Sequence, residues 1–399
     1  MRISSFSENS SSALKLAMSS SYDTLVIDDI GKPWILPPMH FSNVKNKIII
    51  FEKGVDIFAK KGAFLKLTDM LFRFTDCSNI QLIGHGNSLT MNKPEYTEGE
   101  WRHCLSFMGC KDIVIKNLCT MNSGGDGIYI SKSNKLAYSE NISIENVVSS
   151  NNRRQGMSII SGKNITVTNS IFENTNGTLP EAGLDLEPNS NVDRLESIAF
   201  NDCVFRNNNH AGILVALGNL DSSSLPVSIK FTDCLIQNNH SPENRYIASE
   251  IVFGADKERP VKGYVILENC VVEDSKWGIF YSRKTAEAYT VTFKNCVARN
   301  ICKDESYPAI YLEVADYANG PYSLGGYVFD SLYVDYETEV PLFQVRGSSR
   351  NTLSSLSDVG GTIIVAKREG EEKRISYIKY DPEENSNVSL EFINQSPKK

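Results

Sequence analysis

Hydrophobic and polar residues alternate in short bursts along most of this chain. One phrase, apolar-x-apolar-x-Asn/Asp, returns seven times: IVIKN ending at Asn117, ISIEN at Asn146, ITVTN at Asn169, IAFND at Asp202, IKFTD at Asp233, VILEN at Asn269 and VTFKN at Asn295. The intervals are 29, 23, 33, 31, 36 and 26 residues. A second phrase interleaves with it: GIYI at Gly127, GMSI at Gly156, GLDL at Gly183, GILV at Gly212 and GIFY at Gly278. EIVF at Glu250 and AIYL at Ala309 fit it more loosely. Period-two alternation predicts a strand at each phrase. No helical pattern separates the phrases, which excludes a βαβ sheet. Short strands repeating every ~22–35 residues predict an all-β solenoid of about 10 coils. An antiparallel sandwich needs hairpin turns such as Asn-Gly every ~10 residues, and these are scarce here.

Stacked coils place equivalent residues about 4.8 Å apart. The Asn/Asp positions then form a ladder, whose amides are expected to satisfy buried turn backbone in neighbouring coils. Of 35 asparagines, 24 lie in residues 101–300, where the ladder runs. Cys203, Cys234, Cys270 and Cys296 each follow a ladder residue, and are expected as stacked, buried thiols. Residues 1–22 contain SSALKLAMSS, expected as a short helix capping the first coil, where edge strands would otherwise be exposed. Residues 23–340 are the solenoid. Residues 341–399 lose the ladder; TIIVAK and KRISYIKY, joined by REGEEK, suggest a hairpin or small β appendage followed by a tail that frays.

Composition narrows the function. A chain of 399 residues, 41% hydrophobic, is long enough for a sizeable core and is not a disordered chain. A net charge of −7 argues against binding along a phosphate backbone. No apolar run is long enough to span a bilayer. Nine cysteines without a CxxC do not make a disulfide framework or a zinc site. The first residues lack a basic stretch followed by an unbroken apolar run, so no secretory signal is read.

The strings SGGDGIYIS (123–131), NNRRQGMSII (151–160) and LPEAGLDLEPN (179–189) resemble those of right-handed parallel β-helix proteins of the pectate-lyase-like superfamily. They are similar in particular to uncharacterised bacterial β-helix repeat proteins presumed to act on carbohydrates. The resemblance covers residues 20–340. It implies a right-handed, single-stranded parallel β-helix and a glycan ligand, and by analogy an extracellular or periplasmic setting. The polygalacturonase-type members carry an Asp in a similar Asp-Gly phrase, matched here by Asp126, then an Asp-Asp pair and a Gly-His-Gly. The following coils read RRQGM and EAGLD, so the rest of that constellation is missing.

If alternation holds throughout the glycine phrase, positions +1 and +3 face the core and positions −2, 0, +2 and +4 face solvent. The glycines then form the floor of a groove flanked by polar columns. Position −2 reads Gly125, Arg154, Glu181, His210; position +2 reads Tyr129, Ser158, Asp185, Leu214. Asp185 and Glu187, at i and i+2, share a face at a separation suited to paired glycosidase carboxylates. Asp126 and His210 are further catalytic candidates, as carboxylate and as acid or base. Arg154, Glu181, Tyr129 and Gln155 are candidate substrate contacts, Arg154 through its fork of donors or else as a bridge to Glu181. In the irregular loop 92–103, Trp101, Arg102 and His103 are candidates to fold over the groove and stack on sugar. Trp277 is a candidate distal subsite.

Three functions compete. The first is a glycoside hydrolase acting on a polysaccharide or oligosaccharide, with no required cofactor. The second is a polysaccharide lyase or uronate C5-epimerase, with calcium on Asp185 and Glu187 as an option. The third is a non-catalytic glycan-binding β-helix. A monomer or a homotrimer would serve any of them. No glycine loop opens a helix to hold phosphate, so neither nucleotide chemistry nor a nucleic-acid or membrane partner is expected.

Overall fold

A computed structural model describes residues 1–240, 249–256, 258–304, 306–318, 320–335, 338–350, 352–366 and 375–395. The chain forms two compact units, 1–185 and 186–399.

The first unit opens with helix α1 (Ser10–Ser19), whose N-terminus is capped by the Asn9 side chain accepting from the Ser12 N–H. Its buried face is Ala13, Leu14, Ala17 and Met18, and it sits against the strand Trp34–Leu36. Two parallel sheets follow. One carries Thr24–Ile27, Lys45–Phe51, Ser78–Thr90, Lys111–Met121, Ser139–Glu145 and Gly162–Thr168 in register. The other carries β1 (Met39–Ser42), β2 (Phe72–Thr75), β3 (Leu105–Met108), β4 (Ile128–Ser131), β5 (Gln155–Ile159) and β6 (Ala182–Leu186). Strands β1 to β5 pair in parallel, each with the one a coil later. Parallel register stacks like on like, and Phe41, Phe74 and Phe107 form a column with centroids 5.4 and 5.1 Å apart.

The second unit repeats the plan. Leu195–Asn201, Val227–Thr232, Gly263–Glu268, Thr290–Arg299, Tyr322–Asp335, Ser354–Ala366 and Ser386–Gln395 pair in parallel. So do Ile213–Ala216, Ile251–Gly254, Phe280–Ser282, Ile310–Glu313, Phe343–Arg346 and Ile375–Ile378. The C-terminal strands expected as a hairpin are therefore further rungs in parallel register. The REGEEK link lies outside the described residues. Trp277 is fully buried, so it offers no subsite.

The ladder works differently from expectation. All seven phrase-ending residues, Asn117 through Asn295, have φ between 49° and 55°. That is the left-handed region, which Asn and Asp tolerate best after glycine. They mark corners where the chain leaves one strand for the next. Their side chains mostly face solvent, and Asn146 Nδ2 donates to Asn117 Oδ1 one coil earlier at 3.1 Å. The buried turn backbone is served by other asparagines: Asn87 donates to the Glu52 and Val55 carbonyls, and Asn152 accepts from the Ser123 N–H. The nine cysteines are free thiols. Bonding to neighbouring thiols together with burial raises Cys234 and Cys270 to about 12, so they are inert filling. No helix among the described residues is long and apolar enough to cross a membrane.

Candidate functional site

The glycine stripe is not a groove floor. A Cβ on Gly127 would meet Ser149 Oγ at 2.0 Å and Asn152 Nδ2 at 2.5 Å, both buried. A Cβ on Gly156 would meet the Gly183 carbonyl at 2.5 Å and Phe172 Cβ at 3.1 Å. These glycines point inward, against residues of the following coil, because the turn entering β4 and β5 leaves no room for a side chain. Positions 0 and +1 therefore both face the interior. Alternation restarts after the turn, and the columns that meet on the outer wall are −1 and +2.

The −1 column is His103, Asp126 and Gln155. The +2 column is Arg73, Ser106, Tyr129 and Ser158 in strict register, continued on β6 by Asp185. Between them sits Arg154. Its Nη1 lies 3.8 Å from Asp126 Oδ1 and 3.8 Å from Asp185 Oδ2, and its Nε lies 3.4 Å from Glu100 Oε2. Asp126 and Asp185 have no exposed surface. Gln155 fixes Asp185: its Nε2 donates to Oδ2 at 2.8 Å, while its Oε1 accepts from the Ala182 N–H at 2.8 Å.

His103 closes the other side. Its Nδ1 accepts from the Asp126 N–H at 2.9 Å and lies 3.4 Å from Asp126 Oδ2. Burial, helped by the nearby Arg154 charge, holds this imidazole well below its usual pKa. It is therefore neutral, with its proton on Nε2. Its ring stacks on Tyr129, centroids 4.3 Å apart and planes within 5°. A cleft of about 290 Å³ opens beside this pair, lined by Thr68, Met70, Arg73, Trp101, His103, Met108 and Tyr129. Trp101 is 47% exposed there.

The loop 92–103 roofs the acids and is tied down along its length. Lys93 Nζ donates to Asn151 Oδ1, the Asn152 carbonyl and Asn176 Oδ1, and Arg153 donates to the Thr97 and Gly99 carbonyls. Arg102, expected at the substrate, is buried and holds the loop through the Phe64 and Glu98 carbonyls.

The structure thus gathers Asp126, Asp185, Arg154, Gln155, His103 and Tyr129, with Trp101 at the cleft. It does not support the pairing of Asp185 with Glu187 as an exposed duo: Asp185 is enclosed, while Glu187 is half-buried and belongs to the second unit. Arg154 does not take Glu181 as its defining acid; Glu181 Oε1 accepts from the Gly177 N–H within its own loop. His210 also belongs to the second unit, and burial lowers it to about 4. Sequence reasoning missed Glu100, Arg73 and Ser106. Arg73 and Ser106 sit at outward positions of period-two strands one and two coils before Tyr129, a signal the glycine phrase did not reach.

Residues 78–248 match the family described as "right handed beta helix region". An uncharacterised protein, YclG of Bacillus subtilis (strain 168), is 29% identical over 177 residues, which are 42% of this chain and span 27% of that relative's length. A mutant tailspike protein of E. coli bacteriophage HK620, in complex with pentasaccharide, has a TM-score of 0.54 at 11% identity, over 95% of this chain and 76% of that one. The Dettilon tailspike protein has a TM-score of 0.51 at 10% identity, over 92% of this chain and 64% of that one. These likenesses are of fold: the chain folds as a right-handed parallel β-helix.

Proposed function

We propose that this protein acts on a polysaccharide or oligosaccharide and hydrolyses a glycosidic bond, with Asp126 and Asp185 as its two carboxyl groups. The observation that carries the reading is Arg154 Nη1 standing 3.8 Å from both. Their facing oxygens are then no more than twice that distance apart, an upper bound that stays below the widest carboxyl separation glycosidases use, about 9.5 Å. The likeness of fold to a tailspike holding a pentasaccharide supports a glycan ligand, as do Trp101 and the Tyr129–His103 stack beside the acids.

The hydrogen bonds divide the roles. Both acids share the Arg154 guanidinium, and Asp185 also accepts from an amide, which favours its ionised form over that of Asp126. Asp185 is the base or nucleophile. Asp126 Oδ2 faces His103 Nδ1, a nitrogen that carries no proton because it accepts from the Asp126 N–H. A proton on Asp126 relieves that lone-pair opposition, and Asp126 is the acid that protonates the leaving oxygen. Substrate displaces the half-exposed Glu100 from Arg154 to reach them. Calcium has no part in this reading, since Arg154 supplies the positive charge at Asp185. A lyase needs a cation for the substrate's own carboxylate at the reacting carbon, and Arg154, the cation beside these acids, already faces three carboxylates of the protein.

The test is reducing-end release from a glycan panel. The wild type releases reducing ends, while Asp126→Asn and Asp185→Asn lose about 10²–10⁴-fold at a temperature where each variant's melting curve shows it folded. An active wild type with an unimpaired Asp185→Asn overturns the assignment. Products carrying the ultraviolet absorbance of an unsaturated uronate make it a lyase, and glycan binding without turnover makes it a binding protein.

A further inference from the structure

Arg73 stands without a counter-ion among the described residues. Among the described residues it makes no salt bridge and no side-chain hydrogen bond, and its Nε is buried without one. That is unusual in a chain of net charge −7, where acids are plentiful. A half-buried guanidinium that the fold leaves without an acid loses hydration and gains no counter-charge.

Two further polar groups nearby are also unspent. His103 Nε2, which carries the ring's proton, is buried and makes no hydrogen bond, and neither does Ser106 Oγ, the register neighbour of Arg73. Arg73 and His103 both line the 290 Å³ cleft, with Trp101, Tyr129, Met70 and Met108 as its apolar and aromatic walls. Two idle donors on the lining, Arg73 and His103 Nε2, against an aromatic wall form a pocket for a ring bearing an anion.

We infer that this cleft is a subsite for an acidic sugar, one carrying a carboxylate, sulfate or phosphate ester. Arg73 takes the anion, His103 Nε2–H donates to it or to an adjoining hydroxyl, and Trp101 stacks on the ring. The inference rests on the glycan reading above and adds the substrate class. Arg73 lies two coils before the strand that follows Asp126, about 10 Å away at the spacing of parallel strands. It therefore selects the substrate and takes no part in bond cleavage.

The experiment separates this from turnover by measuring binding. The full chain carrying Asp185→Asn is titrated calorimetrically with uronate-containing, sulfated and phosphorylated oligosaccharides. Each is paired with its carboxyl-reduced, desulfated or dephosphorylated counterpart. One acidic class binds, and removing its charge weakens binding about 10- to 100-fold, the size of a charge-assisted hydrogen bond. Arg73→Gln abolishes that difference and leaves affinity for the neutral counterpart unchanged, while Arg73→Lys keeps part of it. Absence of binding by every acidic class, equal affinity for charged and neutral members, or a charge preference that survives Arg73→Gln each overturns the inference. Acid-selective binding without cleavage by the wild type would sustain this subsite and sink only the hydrolase.

Discussion

Small residues decide where large ones point. Gly127 and Gly156 bring two successive inward positions into a strand that otherwise alternates, because the turn abuts Ser149, Asn152 and Phe172. Strict alternation from the glycine misplaces every neighbour upstream of it by one. That is why Asp126 and Gln155 were legible as candidates while their column was not, and why Arg154 was sought beside Glu181. Asp185 lies downstream of the turn, where alternation is restored, and its facing follows directly from the pattern. What no pattern carries is enclosure. The loop 92–103 is irregular, and its docking over the acids through Lys93, Arg102 and Arg153 is written in no period. The inward glycine has a measurable consequence. Gly127→Ala places a methyl against Ser149 Oγ and destabilises by about 1–3 kcal/mol or more. Gly31→Ala meets nothing within 4 Å and, at φ 72°, costs only the strain of its left-handed backbone, about 1–2 kcal/mol. Urea denaturation of both variants checks the pair. A loss at Gly127 smaller than that at Gly31 would show that Ser149 and Asn152 give way and that inward crowding does not fix Gly127, whose φ is not in the left-handed region.

At the scale of the element, each rung is too short to stand alone and draws its stability from the rungs on either side. The aromatic column makes this concrete. Phe107 has no exposed surface and stacks on Phe74 with planes within 4°. Phe107→Ala leaves a cavity in a column that cannot collapse, since backbone hydrogen bonds fix the spacing of the coils. The expected loss is about 3–5 kcal/mol, read as a lowered urea midpoint, and Phe107→Leu recovers most of it. Recovery by Leu that fails would show that ring stacking, rather than filled volume, sustains the column. The same dependence explains the misread C-terminus. TIIVAK and KRISYIKY look like the arms of a hairpin because a charged link joins them and no ladder Asn marks the rung. Their partners are instead the strands one coil earlier, as Val345 beside Tyr377 and Ile364 beside Tyr333 show. Local sequence reveals that a strand exists; which strand it pairs with is set by coil length, and charged or polar corners such as Asp358, at φ 53°, serve as well as Asn.

Across the whole molecule, the buried ionisable groups that take no part in the site set how stability follows pH. Glu250 is enclosed in the second unit, and burial raises its carboxyl to about 8, opposed by hydrogen bonds from Asn239. An unfolded chain releases that proton near 4.5 while the folded one keeps it. The unfolded state then binds fewer protons, and this contribution to stability falls as pH climbs from about 4.5 to about 8. Lys284, enclosed in the same unit over the rings of Tyr289 and Tyr327, is lowered by burial to about 7 from 10.5. Between those values the unfolded chain holds the extra proton, so this contribution rises with pH. The two slopes have opposite sign and meet near neutrality, where a shallow minimum in stability is expected. Each limb amounts to about 2–5 kcal/mol across its range. Burial also lowers His210 to about 4, and thiol–thiol bonding with burial raises Cys234 and Cys270 to about 12, which adds a rise below about pH 6.5 and a fall above about pH 9. Urea unfolding from pH 6.5 to pH 9 therefore reads both limbs at once. Glu250→Gln flattens the falling limb and leaves the rise; Lys284→Met flattens the rise and leaves the fall, even though each variant also shifts the absolute stability. If Glu250→Gln left the acid-side slope intact, the fall would belong to another carboxyl. If Lys284→Met left the alkaline rise, the ammonium would be charged in the folded chain, held by the Gly325 and Thr285 carbonyls to which it donates.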